Sequence, residues 1–511
     1  MINTRIIPYE PIPKTMKSDI NNYNEEVNKR TILEGVKGLT PELRKAILSA
    51  PKSEQRKLIF KVMVDNNVEH RLIGDKIQTL IQQNNLYSTR HIKTVIKMLR
   101  EYVGVSATDT KTMGEVMTPT SLVMDMLDTL PKDVWSNPEL KWLDPCNGVG
   151  IFPAVIIDRL MEGLMSFEPN EELRYKHIME EMIYVSELQA KNMFLYLYAF
   201  DPEDKFALNV YNGSYLEFGF DIHMDMLEVD KFDIVVMNPP YQELKDGNTK
   251  SQAIWDKFVL KAIDGLNEGG YLVAVHPDSW RGLGKAFNIV RNALKSKQMT
   301  YLELHNKFDG AKTFGAHTSY DFYCLHNVPN TMSTKIKCQD GKIENADLSK
   351  MEFIPNGMFN KFQKLMSKKD EEKLNILYSR SAYGNDKDNM SKEQTEEFSY
   401  PCIYYTYKDG TFQLRYSNTN QKGHFGIPKV IWSAGSASTP IIDKNGDYGV
   451  MNFACSIVDE LENLPLIQEA MLNPEFIKLM SFADGNGGVG GQRYNHKVIA
   501  TFRKDFWKEF V

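Results

Sequence analysis

The chain has 511 residues, of which 42% are hydrophobic and 25% are charged, and its net charge is −6. This balance is typical of globular domains and excludes a wholly disordered chain, a collagen and a small disulfide-stapled scaffold. At about 100–200 residues per domain, the length predicts about three domains. The N-terminus has no apolar signal segment, and no apolar stretch approaches the ~20 residues that span a bilayer, so the sequence predicts a cytoplasmic protein without a membrane partner.

The five cysteines are scattered along the chain, and none forms a Cys-x-x-Cys pair. Paired cysteines at short spacing are what structural zinc sites and redox motifs require. The sequence therefore predicts reduced thiols and no metal site.

Residues 1–108 are predicted to form an N-terminal arm followed by a helical domain. Thr40 and Pro41 are typical of a helix N-cap followed by proline at the first helical position. Apolar residues recur at helical spacing over 72–81 and 92–99. Lys and Arg outnumber Asp and Glu in the first hundred residues, which suits either a polyanionic partner or an ordinary solvated helical surface.

Residues 109–330 alternate between short apolar strands and helical patterns. The predicted strands are Lys141–Asp144, Met182–Val185, Phe232–Met237 and Tyr271–Val275. A helical pattern over Gln252–Leu266 separates the last two of them. This alternation predicts an α/β domain with a mostly parallel sheet and helices on both faces.

The sharpest motif is Asn238-Pro239-Pro240-Tyr241, directly after the apolar strand FDIVVM. Two prolines cannot continue a ladder, so the chain turns at the carboxyl end of the strand, the edge where open α/β sheets bind ligands. If the side-chain oxygen of Asn238 and the carbonyl of Pro239 accept hydrogens from a ring-conjugated amine, its lone pair is freed to attack a methyl sulfonium. The ring of Tyr241 offers a face for a flipped base. The alternative is an ordinary strand-ending turn.

Two further motifs follow the first and second predicted strands. Asp144–Gly150 (DPCNGVG) contains glycines that let the backbone approach a ligand closely, although it is neither a GxGxxG fingerprint nor a Walker motif. Glu187 follows the second strand, where related folds hold ribose hydroxyls, and it is otherwise a plain surface acid.

In this order, the motifs resemble those of the γ-class N6-adenine DNA methyltransferases, the Eco57I-like methylases of type II restriction-modification systems, which are related to type I modification subunits. That family has a Thr-Pro segment, a glycine cofactor loop, an acid after the second strand and then NPPY. Gly114–Pro119, Asp144–Gly150, Glu187 and Asn238–Tyr241 match these in order, and the resemblance covers about residues 110–325. It implies a Rossmann-like fold that uses S-adenosylmethionine (AdoMet).

The resemblance also implies two sets of site residues. The AdoMet-binding set is Thr118, Pro119, Asp144, Pro145, Gly148, Gly150, Glu187 and Ser214. The set that binds and activates adenine is Asn238, Pro239, Pro240 and Tyr241. Ser214 stands where the family often has an acid. Phe314 is the candidate for a second aromatic against the flipped base, or it is a core residue.

Residues 331–511 are predicted to form an α+β domain, which in this family serves target recognition. A strand at Pro401–Tyr407, an Asn445-Gly446 hairpin turn and helices at Leu461–Met471 and Pro474–Phe482 are expected. The glycine-rich stretch 484–497 either lies against DNA or is a mobile surface loop. The DNA-contacting residues predicted from that stretch are Arg493, Tyr494 and Lys497.

The predicted function is site-specific methylation of adenine N6 in duplex DNA (EC 2.1.1.72), within a restriction-modification system or as a phage or orphan enzyme. The expected partners are double-stranded DNA and a cognate endonuclease or specificity subunit, in a bacterial or phage-infected cell. One alternative is the modification subunit of a type I-like system. Others are a methyltransferase for RNA or protein glutamine, and a DNA-binding protein with a decayed site.

Overall fold

The computed structural model describes residues 40–51, 58, 118–201, 205–244, 251–378, 390–433, 438–451, 453–483 and 494–511. Most of the predicted N-terminal helical domain, including the patterns over 72–81 and 92–99, lies outside the described residues. The helix predicted at Thr40-Pro41 is present, with Pro41 as its first residue. Within the described residues, no helix is long and apolar enough to cross a bilayer.

The helices are numbered in chain order over the described residues. They are Pro41–Ser49 (α1), Thr120–Leu127 (α2), Ile151–Gly163 (α3), Glu171–His177 (α4), Ala190–Phe200 (α5), Phe218–Met226 (α6), Trp255–Asp264 (α7), Asn288–Ser296 (α8), Lys307–Phe314 (α9), Phe359–Leu365 (α10), Leu464–Leu472 (α11), Pro474–Ser481 (α12) and His496–Ile499 (α13). A π-helical turn at Ile178–Met182 continues α4.

The strands are numbered in the same way. They are Trp142–Asp144 (β1), Ile183–Ser186 (β2), Asn209–Tyr211 (β3), Phe232–Met237 (β4), Gln242–Leu244 (β5), Ser251–Ala253 (β6), Leu266–Pro277 (β7), Lys297–His305 (β8), Tyr320–Pro329 (β9), Thr334–Lys337 (β10), Ile343–Ala346 (β11), Asn375–Tyr378 (β12), Met390–Ser391 (β13), Tyr400–Thr406 (β14), Phe412–Ser417 (β15), Lys429–Ser433 (β16), Ile441–Asp443 (β17), Gly449–Val450 (β18) and Ala454–Val458 (β19).

In the described part of the chain, nine strands form one large sheet in the order β11-β10-β8-β9-β7-β4-β1-β2-β3. β1 pairs in parallel with both β2 and β4, and β3 and β7 extend the parallel part on either side. β9 runs antiparallel between β7 and β8. The predicted mixed α/β fold with a large, mostly parallel sheet is therefore confirmed. Its strand order reverses between β1 and β4, the point where doubly wound sheets bind ligands.

The sheet has a hydrophobic core on each face because successive side chains of a strand point to opposite sides. Along β4, Ile234 and Val236 belong to the core that contains α3, while Val235 and Met237 belong to the core that contains α7. Helices thus cover both faces, as predicted. The run FDIVVM, apolar apart from Asp233 near its start, is what a strand buried on both faces requires.

The large sheet continues past the boundary predicted at residue 330, because β10 and β11 extend it to Ala346. Beyond it, the described residues form two four-stranded sheets, in the orders β12-β19-β16-β17 and β13-β15-β14-β18. The buried core around α7 includes Trp280 of the large sheet region and also Trp432, Phe476 and Phe502 of the C-terminal region. A cut at residue 330 would therefore expose apolar surface.

The predicted Asn445-Gly446 hairpin is wrong. The strands on either side of that turn, β17 and β18, pair with different partners, β16 and β14, in different sheets. The turn is held by Asp443. Its carboxylate accepts hydrogen bonds from the backbone N–H groups of Asp447 and Tyr448, and it forms an ion pair with the buried Lys429. These contacts let the turn carry the chain from one sheet to the other.

Candidate functional site

A cavity of about 250 Å³ opens at the carboxyl ends of β1, β2 and β4. It lies at the reversal point of the sheet, where the turns that follow these strands diverge. Most of the residues predicted for the two sets line it. These are Thr118, Pro145, Gly148, Glu187, Ser214, Asn238, Pro239, Pro240 and Tyr241.

The turn after β1 carries two glycines with different constraints. Gly148 has φ +56° and Gly150 has φ +94°, both in the left-handed region that favours glycine. A Cβ on Gly148 would meet nothing within 4 Å, whereas one on Gly150 would lie 2.7 Å from the ring of Tyr196 and 2.8 Å from that of Phe200. Gly150 does not line the cavity, so its geometry serves the packing of α3 against α5.

Glu187 joins the ends of β1 and β2. Its Oε2 accepts the backbone N–H of Gly148 at 2.7 Å, and its Oε1 accepts that of Gln189 at 2.7 Å. The side chain is buried, yet it lines the cavity. Glu187 is therefore not a plain surface acid, and it holds the glycine turn in place.

Asp144 is a buried acid at the start of the same turn. Its Oδ1 accepts the N–H of Cys146 at 3.1 Å, while the buried Oδ2 has no hydrogen-bond partner among the described residues. Burial, with a smaller contribution from the charge of Glu187, raises the pKa of Asp144 to about 8. Since an unmatched buried carboxyl is costly, this atom is suited to a cationic or hydrogen-bonding ligand.

The Asn-Pro-Pro-Tyr turn faces the glycine turn across the cavity. The Nδ2 of Asn238 donates a hydrogen bond to the Oγ1 of Thr118 at 2.9 Å. The hydroxyl of Tyr241 is buried without a hydrogen-bond partner in the described residues, and burial raises the pKa of Tyr241. The ring of Phe314 meets that of Tyr241 edge-on, with centroids 6.5 Å apart. The structure thus brings Phe314 to the predicted adenine set, although it does not line the cavity.

The remaining members of the predicted AdoMet set occupy mixed positions. The Oγ of Ser214 accepts the N–H of Leu216 at 3.3 Å and lies on the cavity wall. Pro119 precedes α2 as its N-cap residue and lies off the cavity wall.

Several cavity residues were missed at the sequence level. They include Cys146, Asn147, Leu188, Gln189, Asn192 and Glu217. Most directly neighbour predicted residues, so extending each motif by one or two positions would have found them. Glu217 stands three residues after Ser214 and places an acid on the wall where the resemblance led us to expect one.

Of the residues predicted to contact DNA in the C-terminal region, the structure describes Tyr494 and Lys497, and they differ in exposure. Tyr494 is buried, donates its hydroxyl to the carbonyl of Met471 at 2.8 Å and accepts the indole N–H of Trp432 at its own carbonyl. Its predicted DNA contact is therefore wrong, because the ring belongs to the core. Lys497 is exposed on α13. Arg493 and most of the glycine-rich stretch lie outside the described residues.

The doubly wound sheet and the polar cavity at its reversal point define the class of the chain: an α/β protein with a cavity at the carboxyl edge of its sheet, where folds of this class bind ligands. Residues 147–314 match the family model described as Eco57I restriction-modification methylase. The resemblance predicted from the order of the motifs is confirmed by this match.

An uncharacterised adenine-specific methylase of Mycoplasma pneumoniae is 30% identical over 39% of this chain and 63% of its own length. The chain thus spans less than two thirds of that relative. Among solved structures, the M protein of the type I restriction enzyme EcoKI is 13% identical to this chain and has a TM-score of 0.34. The match covers 69% of this chain and 78% of the M protein. The DNA-bound type ISP restriction-modification enzyme LlaBIII is 9% identical to this chain and has a TM-score of 0.44. The match covers 98% of this chain and 49% of LlaBIII.

Proposed function

We propose that this chain is a site-specific DNA methyltransferase that transfers a methyl group from AdoMet to N6 of an adenine flipped out of duplex DNA. The chain would act within a restriction-modification system, or alone as a phage or orphan modification enzyme. The observation that carries the proposal is the cavity in which Asn238–Tyr241 faces the glycine turn after β1 and Glu187. The match of residues 147–314 to a restriction-modification methylase family supports it.

The residues around the cavity fit AdoMet, whose sulfur and amino group are positively charged. The orphaned Oδ2 of Asp144 and the cavity-lining acids Glu187 and Glu217 favour a cationic ligand. The residues proposed to hold AdoMet are Pro145, Gly148, Glu187 and Ser214 on the cavity wall and Asp144 at the start of the glycine turn, with Pro119 and Gly150 supporting the turns that carry them. When bound, AdoMet supplies an electrophilic methyl group on a sulfonium.

Asn238 and Pro239 supply the acceptors that activate the target amine. Accepting one N6 hydrogen on the side-chain oxygen of Asn238 and the other on the carbonyl of Pro239 localises the lone pair on N6. Asn238 and Pro239 would thus direct that lone pair at the methyl group, which AdoMet, when bound, would give up as its sulfonium becomes a neutral thioether. The methylated N6 then loses a proton to water. Pro240 fixes the turn, since two successive prolines restrict its backbone.

Tyr241 supplies the ring on which the flipped adenine stacks. Base–aromatic stacking contributes about 1–3 kcal/mol per base. The edge-on contact with Phe314 at 6.5 Å and that of Phe314 with Tyr320 at 4.9 Å support the ring of Tyr241 from the side. We infer that Phe314 supports the stacking ring.

AdoMet affinity is expected to depend on pH through Asp144. The carboxyl is largely protonated below its raised pKa of about 8, and a bound cation favours its charged form, so binding releases a proton. Affinity should therefore rise with pH from about 6 to about 8, by up to tenfold per pH unit. Calorimetric titration of AdoMet across this range measures the slope. Asp144→Asn should bind weakly with a flat profile, while a flat profile in the wild type would remove Asp144 from the cofactor site.

We further propose that the region after the catalytic sheet, nominally residues 331–511, recognises the DNA target. The described strands of the sheet β13-β15-β14-β18 carry one cation, Arg415, among aromatic side chains, a combination that suits contact with nucleic acid. The guanidinium of Arg415 lies 4.7 Å from the ring centroid of Tyr404, and the half-exposed Phe453 packs edge-on against that ring. Lys497 is a second exposed cation of this region.

Replacing Arg415 with alanine is expected to weaken duplex binding and to reduce its salt dependence. One lost phosphate contact lowers the slope of log affinity against log salt by about 0.9. The measurement is fluorescence anisotropy with a labelled duplex at several salt concentrations. Lys508→Ala is a matched control, because Lys508 also lies over an aromatic ring, that of Trp507. Equal slopes for Arg415→Ala and the wild type would place the DNA surface elsewhere.

The substrate class is tested by transfer of a labelled methyl group from AdoMet to duplex DNA, structured RNA and a bacterial protein extract in parallel. We expect label in duplex DNA alone. Label in RNA would favour an RNA methyltransferase, and label in protein would favour a protein-glutamine methyltransferase. AdoMet binding without transfer to DNA, restored by a separate specificity subunit, would favour a type I-like modification subunit.

A further inference from the structure

Thr118 and Asn238 are 120 positions apart in the chain and meet at the cavity through the 2.9 Å hydrogen bond from the Nδ2 of Asn238 to the Oγ1 of Thr118. Thr118 is buried and lies immediately before the N-cap of α2. The carbonyl of Pro119 accepts the N–H of Val123, and α2 buries Val123 and Met126 in the core. The hydroxyl of Thr118 is thus held in place by a helix that packs against the sheet.

The chemistry of Asn238 depends on which end of its amide faces the substrate. Rotation of the amide by 180° exchanges an acceptor oxygen for a nitrogen that carries two donors, and the torsion that does this is soft. An amine such as adenine N6 needs an acceptor, so the rotated amide would place donors against donors. In the structure the hydroxyl of Thr118 accepts from Nδ2, and this bond anchors the amide in the orientation in which Nδ2, and not Oδ1, faces Thr118.

We propose that Thr118 is a positioning residue that orients the amide of Asn238 for the target amine. This inference rests on the proposed adenine methylation and differs from the role implied by the family resemblance, in which Thr118 holds AdoMet. The two roles separate experimentally. A residue that holds AdoMet changes the affinity for AdoMet, whereas a residue that positions Asn238 changes kcat.

The test compares Thr118→Val, which removes the hydroxyl at nearly constant volume, with Thr118→Ser, which keeps it. Loss of one neutral hydrogen bond corresponds to about a tenfold fall in kcat. We expect that fall for Thr118→Val, with the Kd for AdoMet within about twofold of the wild type, and recovery of most of kcat in Thr118→Ser.

The split between kcat and the Kd for AdoMet, together with rescue by Thr118→Ser, separates positioning of Asn238 from a general structural effect. Thermal unfolding checks that both variants are folded.

An unchanged kcat in Thr118→Val, including a loss confined to the Kd for AdoMet, would overturn the inference. A kcat in Thr118→Ser as low as that in Thr118→Val would also overturn it. A wild-type chain that binds AdoMet but methylates no adenine would overturn the proposed function and this inference with it, and that result is read from the wild type before any variant.

Discussion

Asn238→Ala is expected to lower kcat for methyl transfer by about 10²–10³-fold, the cost of removing one preorganised hydrogen-bonding group from a transition state. AdoMet binding should change little, because Glu187 on the cavity wall and the buried carboxyl of Asp144, both proposed to hold the cofactor's polar groups, remain. Single-turnover transfer of a labelled methyl group to duplex DNA measures the rate, and calorimetry measures the affinity. Asn238→Asp keeps a side-chain oxygen acceptor and should retain more activity than the alanine variant.

The hydrogen bond between Asn238 and Thr118 supplies a check on this prediction. If alanine acted only by loosening the cavity, the melting temperature and the AdoMet affinity would fall together with the rate. Near-normal turnover in Asn238→Ala would contradict the proposed mechanism outright, because no acceptor on the side chain would remain.

Tyr241→Ala is expected to weaken capture of the flipped base by about 10–100-fold, the equivalent of losing a stacking contact of about 1–3 kcal/mol. The fluorescence of 2-aminopurine placed at the target position reports the flipped state. Tyr241→Phe keeps the ring and should keep most of the activity, since the Tyr241 hydroxyl makes no hydrogen bond among the described residues.

The phenylalanine variant decides what Tyr241 does. A loss in Tyr241→Phe as large as that in Tyr241→Ala would show that the hydroxyl acts on the substrate. Flipping that is unchanged in Tyr241→Ala would move the stacking role to another ring.

The catalytic sheet could be predicted from the sequence because its signals are local. β4 is observed over Phe232–Met237, the same residues as in the prediction, because an apolar run followed by two prolines has one reading. The segment between Asp144 and Glu187 contains α3, α4 and the π-helical turn that continues α4. The site residues cluster because parallel strands end at one edge of the sheet.

The failures involve contacts between residues distant in the chain. Tyr494 follows a glycine-rich stretch and looks like a surface residue, but its position between Trp432 and Met471 places it in the core. Gly150 stands in a cofactor motif, yet its space is set by Tyr196 and Phe200 of another helix. The hydrogen bond between Thr118 and Asn238 could not be predicted either, because no local pattern indicates that two segments 120 positions apart meet.

Identification of the methylated atom tests the proposed transfer to adenine N6 most directly. Duplex DNA treated with the purified chain and AdoMet is digested to nucleosides for mass spectrometry, and a second portion is sequenced by a method that detects N6-methyladenine. We expect N6-methyldeoxyadenosine at one short recurring sequence, and its absence after treatment with Asn238→Ala. A methyl group on cytosine, on RNA or on protein, with none on adenine, would contradict it.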